Sequence, residues 1–146
     1  MSDYYLHEGL AQPAATDLDK PYWDGLSEGV LRVQRCNACQ GWQWGAEWIC
    51  HHCHSDDLGF VEVAPQGVIY SYERVWHPVH PALKDQGPYI VVLVELPDAG
   101  DIRMVGNLLG NPEQDVPIGA EVTGVYEHHE DAETPFTLLQ WQLDAH

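Results

Sequence analysis

The chain has 146 residues and a formal charge of −17, with six basic residues set against 23 acidic ones. Phosphate-backbone binding relies on cationic side chains displacing counterions, so a chain this acidic should repel nucleic acid. The longest apolar run, Ile90 to Val94, is strand-sized and far short of a bilayer span, so no membrane segment is expected.

The opening Met1-Ser2-Asp3-Tyr4-Tyr5 has neither the basic nor the apolar region of an export signal. Residues 1–30 read as a flexible lead followed by a short helix. Thr16-Asp17-Leu18-Asp19 offers capping oxygens, and Lys20 to Glu28 can wind until Gly29. Pro21 is tolerated there because the amides of a first turn have no helical acceptor. Tyr22, Trp23 and Leu26 fall on one face, which predicts packing onto the next unit of this chain or onto another subunit.

Leu31 to Arg35 predicts a strand that delivers the chain to its densest chemistry. The four cysteines form two tight pairs, Cys36-Asn37-Ala38-Cys39 and Cys50-His51-His52-Cys53, with ten residues between the pairs. Two residues between thiols let both sulfurs of a knuckle face one ion. A short hairpin then brings the second knuckle opposite the first, giving a tetrahedral four-sulfur cage suited to Zn²⁺. Four thiolates also suit iron. Four protein sulfurs leave no position for water or substrate, so the ion is expected to hold the fold together. His51, His52 and His54 crowd the second knuckle and read as exposed loop side chains. Metal-binding thiols without an export signal point to the cytoplasm.

Residues 31–63 are thus expected to form a zinc ribbon. Trp42, Trp44 and Trp48 lie between its cysteine pairs, more aromatic surface than so small a hairpin needs for its own core. Some should cover the ribbon face, and an exposed remainder would suit an interface.

After Ala64-Pro65-Gln66-Gly67 the pattern becomes all strand. Val68 to Trp76 is rich in branched and aromatic residues, and Tyr89 to Leu96 is a nearly continuous apolar run that suits burial on both faces. Pro97-Asp98-Ala99-Gly100 is turn chemistry, so Ile102 to Leu109 should return antiparallel. Glu121 to Glu127 and Phe136 to Leu143 complete five strands, and five strands without a long helix suggest an OB-fold barrel over residues 64–146. Between the third and fourth strands only Asn111 to Gly119 is available. That is room for one turn capped by Asn111, not for the helix often found there.

The loop from Trp76 to Pro88, with His77 and His80, is the best candidate for a ligand or partner surface, because such barrels bind on neighbouring strands and loops. Trp76 can pack on an adenine or acyl chain, and Arg74, Lys84 and Arg103 are the nearby cations for CoA phosphates. Each arginine competes with pairing to surplus carboxylates, so a shared site with positive charge from a partner is the more reasonable form. No catalytic residue is assigned. There is no Gly-x-Ser-x-Gly elbow, phosphate loop or dinucleotide fingerprint, and the metal consumes every cysteine.

The order of these pieces resembles the zinc-ribbon OB-fold family associated with acyl-CoA metabolism. Pro21-Tyr22-Trp23-Asp24-Gly25-Leu26 and the two knuckles open the match. Gly67 to Tyr72, Pro88 to Leu96, Gly106-Asn107-Leu108 and Val116 to Val122 continue it, from about Asp19 to Leu143. One departure is that Gln40 and His54 stand where family knuckles often carry glycine. The resemblance implies a small, non-catalytic accessory subunit. It would stabilise a thiolase-like or lipid-transfer-protein-like aldolase partner in a heteromer and help form its acyl-CoA site. In some members the same unit is fused to an acyl-CoA hydratase. Two rival readings are a rubredoxin-like iron electron carrier and an OB-fold nucleic-acid module, the latter opposed by the charge.

Overall fold

The computed structural model describes residues 4–6, 10 and 12–145. Helix α1 spans Lys20–Ser27, with Pro21 in its first turn. It ends where Gly29 turns the backbone to φ +78°, a conformation that glycine adopts without steric cost. Its N-cap is Asp19, but that carboxylate turns back to accept the Thr16 N–H and hydroxyl at 2.6 and 3.0 Å. The expected capping oxygen therefore ties down the preceding turn and bonds no helix amide.

Three antiparallel strands follow: β1 (Leu31–Cys36), β2 (Trp42–Gln43) and β3 (Leu58–Val63), in the order β2-β1-β3. Leu31 pairs with Val63 and Cys36 with Leu58, so the first knuckle lies at the end of β1 beside the start of β3.

The second sheet contains β4 (Gln66–Val75), β5 (Tyr89–Leu96), β6 (Ile102–Asn107), β7 (Glu121–His129) and β8 (Phe136–Leu143), in the order β6-β5-β4-β7-β8. A parallel bridge from Leu108 to Trp141, with Leu109 N–H bonded to Trp141 O at 2.8 Å, brings the two edges together. The sheet thereby becomes a nearly closed five-stranded OB barrel. The connection from β6 to β7 is the expected single turn: Asn111 Oδ1 accepts from Glu113 N–H and Asn111 O from Gln114 N–H.

Barrel and ribbon share one core. Ile69, Val92, Val94, Met104 and Trp141 form a cluster that continues into Leu31 and Val33 of β1 and Leu26 of α1. The helix packs on β1 and on β7 and β8, so it is the wedge between the two units.

Two expectations need correction. β5 was expected to be buried on both faces, yet only Ile90, Val92, Val94 and Leu96 are buried, while Tyr89, Val91 and Leu93 are half-buried. A single-layer barrel has an inside but nothing over its outside. Second, Tyr5, in the lead expected to be flexible, is anchored on the barrel. Tyr5 accepts Ile90 N–H on its hydroxyl at 2.9 Å and donates its own N–H to Glu127 at 3.1 Å. Met1 to Asp3, on which part of the export-signal reading rests, lie outside the described residues.

Candidate metal centre and partner surface

β1 ends at Cys36, and each knuckle is a tight turn built around its first cysteine. Gln40 N–H bonds Cys36 O at 3.0 Å, and His54 N–H bonds Cys50 O at 2.8 Å. Closing these turns requires a left-handed residue, and both Gln40 and His54 sit at φ +65°. The positions that depart from the glycine pattern are thus the two whose backbone most favours glycine.

Backbone amides point inward at sulfur. Cys39 N–H lies 3.4 Å from Cys36 Sγ, Gly41 N–H 3.3 Å from Cys39 Sγ, and His52 N–H 3.3 Å from Cys50 Sγ. Such donors stabilise thiolates. Burial raises the Cys50 thiol, but amides of Cys53 and His52 and the thiols of Cys39 and Cys36 outweigh it and lower the group to about 7.

The ligand atoms of Cys36, Cys39, Cys50 and Cys53 all lie within 4.8 Å of one another. Sulfurs of Cys36 and Cys53, and of Cys39 and Cys50, are 3.6 Å apart. A tetrahedron with Zn–S near ~2.3 Å has edges of about 3.8 Å, whereas a disulfide needs about 2.05 Å. The donor set therefore fits a four-thiolate zinc ion, with Cys36 and Cys50 buried and Cys39 and Cys53 at the surface. His51, His52 and His54 are exposed and stand outside the sulfur group.

Behind the cage, two buried glutamines that sequence reasoning missed hold the hairpin. Gln43 Nε2 donates to Gln34 Oε1 at 2.6 Å, and Gln34 also binds both the N–H and the C=O of Glu47. Gln43 Oε1 accepts His51 N–H at 3.1 Å, so the amide network reaches the second knuckle. Neither glutamine carried a motif; only their strand positions beside hydrophobic neighbours gave a signal.

The tryptophans divide. Trp42 is half-buried, with the Arg35 guanidinium 4.5 Å from its ring centroid, and it packs so closely on Gly100 that a Cβ there would come within 2.6 Å. Trp44 is half-buried against Tyr22. Trp48 is 70% exposed at the hairpin tip and Trp76 51% exposed after β4.

The predicted cations also divide. Arg74 donates Nε to Pro112 O at 2.9 Å and Nη2 to Gln114 O, pinning the β6–β7 connection to β4. Arg103 pairs with Glu95 at 3.0 Å and lies 3.7 Å over the Tyr70 ring. Lys84 is exposed, and its ammonium has no ionic or hydrogen-bond partner among the described residues. His77 is exposed on the same loop, where His80 Nδ1 accepts Ala82 N–H and caps a short 3-10 turn, Pro81–Leu83. The structure does not gather Arg74, Lys84 and Arg103 into one phosphate cradle, because two of the three are committed to partners within the barrel.

One more cluster escaped the sequence. His129 is buried between the rings of Tyr4 (3.8 Å) and Phe136 (4.4 Å), with Glu127 Oε1 2.7 Å from its Nε2. It fastens the N-terminal segment to β7 and β8. Phe136 is the cross-strand neighbour of His129, but Tyr4 is remote in sequence and gave no signal.

Residues 23–59 match the family described as "ChsH2, rubredoxin-like zinc ribbon domain", and residues 60–127 match "ChsH2, C-terminal OB-fold domain". A solved structure described as "Ltp2-ChsH2(DUF35) aldolase" is similar with a TM-score of 0.75 and 32% identity, over 90% of this chain and 98% of that one. The chain belongs to the ChsH2 (DUF35) family. A DUF35 protein of unknown function from Sulfolobus solfataricus shares the fold, with a TM-score of 0.59 at 18% identity over 89% of this chain and 87% of that one. A protein of Thermomonospora curvata named "Probable enoyl-CoA hydratase alpha subunit" is 38% identical over 116 residues. That match covers 79% of this chain but 35% of that protein, so the chain spans about a third of its length. In this family the cage is the zinc ribbon and the barrel its OB-fold companion, as the sequence resemblance implied.

Proposed function

We propose that this ChsH2-family chain is a non-catalytic accessory subunit of an aldolase- or thiolase-type acyl-CoA enzyme complex. It stabilises its partner and helps to form the partner's acyl-CoA site. The observation that carries this reading is the match to nearly the full length of a chain described as part of an Ltp2-ChsH2 aldolase. The relative named as a hydratase subunit supports the same acyl-CoA setting.

The chemistry of the described residues agrees. All four thiols are gathered at the metal, which leaves none as a nucleophile. With Arg74 and Arg103 engaged, Lys84, on the loop that also carries Trp76 and His77, is the candidate cation left for a CoA phosphate, so most of the positive charge must come from the partner. Tyr70, Leu93 and Val105 stand on the outer barrel face, with Tyr70 47% and Val105 64% exposed. Apolar groups of this kind on a strongly acidic protein suit a protein interface. The complex is placed in the cytoplasm, where zinc thiolates stay reduced.

Native mass spectrometry of the chain co-expressed with a thiolase-superfamily subunit from the same organism tests the assembly. A heteromer of fixed stoichiometry is expected. Two separate species at micromolar concentration would contradict the reading.

A further inference from the structure

Between α1 and the ribbon lies a cavity of about 150 Å³ that neither the metal centre nor the barrel uses. Tyr22, Trp23 and Trp44 wall it. Their rings meet edge to face, Tyr22 and Trp23 at 5.0 Å and 67°, Tyr22 and Trp44 at 4.8 Å and 76°. Packed edge to face, the three rings give the cavity an aromatic wall.

Asp19 closes one side of that cavity. Burial raises its carboxyl, but hydrogen bonding, led by Thr16 with a smaller contribution from the Trp23 side chain, outweighs this and lowers it, so the wall is anionic. Both Thr16 bonds end on Oδ1. No lysine or arginine lines the cavity. Gln34 and Gln43 at its base are bonded to each other and to the backbone of Glu47, Ile49 and His51.

We propose that this aromatic cage receives the cationic head of a lysine or arginine side chain presented by a protein partner. A cation over aromatic faces is stabilised by the ring quadrupole, and the carboxylate adds direct attraction. An anion would meet the negative faces of the rings and Asp19 together. A folded nucleotide or acyl-CoA is too large, since pockets for such ligands are of about 300–1,000 Å³. Trp48 and Ile49, which follow the lining residues Trp44 to Ala46 in sequence, are 70% and 51% exposed and offer apolar contact to a partner. The protein's charge of −17 would draw a basic surface toward it. The cage stands on its own geometry; that the cation belongs to a partner rests on the accessory-subunit reading.

The test uses the full zinc-loaded chain and three probes: butylammonium, butylguanidinium and the neutral alcohol 1-pentanol, one carbon longer than butylammonium. Indole N–H resonances of Trp23 and Trp44 should shift saturably with the two cations, while those of Trp48 and Trp76 serve as controls. Asp19→Asn should weaken cation binding at least about fivefold, and 1-pentanol should bind at least about fivefold more weakly than butylammonium. Equal binding of 1-pentanol, an unchanged affinity in Asp19→Asn, or shifts confined to Trp48 and Trp76 would overturn the cage. Zinc content and circular dichroism report whether Asp19→Asn folds. If it does not, Trp44→Leu, which keeps an apolar side chain but removes an aromatic wall, should show the same loss, and unchanged binding there overturns the cage. In the assembled complex Asp19→Asn should raise the Kd for the partner at least about fivefold. An unchanged Kd overturns the assignment to a partner side chain and gives the cage to a free small cation.

Discussion

Gly106 of β6 lies flat against the indole of Trp141 in β8. A Cβ at position 106 would come within 2.7 Å of Trp141 Cδ1 and 2.9 Å of its Nε1. Trp141 is fully buried and its backbone forms the bridge that closes the barrel, so this contact sets how near the two edges can approach. Gly106→Ala should therefore destabilise the chain by about 1–3 kcal/mol, the usual cost of overpacking. Urea unfolding followed by tryptophan fluorescence reads it, and an unchanged midpoint would show that the seam has room to spare.

The knuckle turns make a sharper demand on backbone conformation. Gln40 sits at φ +65° and also donates Nε2 to Asn37 O at 3.0 Å. Gln40→Gly relieves the left-handed strain but frees the unfolded chain and loses that bond, so its net effect should stay within about 0.5–1 kcal/mol. Gln40→Val, branched at Cβ, should cost about 1–2 kcal/mol more and loosen the metal. Zinc release to a chromogenic chelator ranks the variants. Equal release from valine and glycine would remove the conformational argument.

Metal loss should separate the two units only in part. Cys50→Ser should bind zinc poorly and disorder the ribbon, while the barrel keeps its sheet signal because β4 to β8 pair without the ribbon. The barrel should still melt at lower temperature, since Leu31, Val33 and Leu26 belong to its core. Elemental analysis should find one zinc per chain in the parent protein. One iron per chain, with visible thiolate-to-metal absorption, would favour the electron-carrier alternative.

Much of the frame was legible because it rests on local chemistry. The cysteine spacing gave the cage, Gly29 the helix end, Pro97 to Gly100 the turn after β5, and Asn111 the capped turn that replaces a helix. What escaped was long-range. Gln34 and Gln43 look unremarkable until the hairpin folds and leaves them buried. Tyr4 meets His129 only when the chain terminus crosses the barrel. The sequence offers Arg74 a CoA phosphate or a carboxylate as partner, but its acceptors, Pro112 and Gln114, are backbone carbonyls remote in sequence and silent in any side-chain pattern. The two-faced burial expected of β5 failed for a related reason, since apolar composition does not say how many layers cover a sheet.

The exposed tryptophans carry the interface prediction. Trp48→Ala and Trp76→Ala should leave the unfolding midpoint of the isolated chain nearly unchanged, because these side chains are 70% and 51% exposed. At least one of them should weaken assembly with the partner by about 2 kcal/mol or more. Raising salt should slow association more than it speeds dissociation, as expected for an acidic surface that steers a basic one. Unchanged affinity in both variants would move the interface away from the hairpin tip and the β4–β5 loop.

The most direct test of the accessory role is the steady-state rate of acyl-CoA conversion for three samples: the chain alone, the thiolase-superfamily subunit alone, and the two titrated together. The account predicts no turnover by the chain alone and a partner rate that rises to a plateau at a fixed molar ratio. Turnover by the isolated chain, or a partner rate indifferent to its presence, would contradict it.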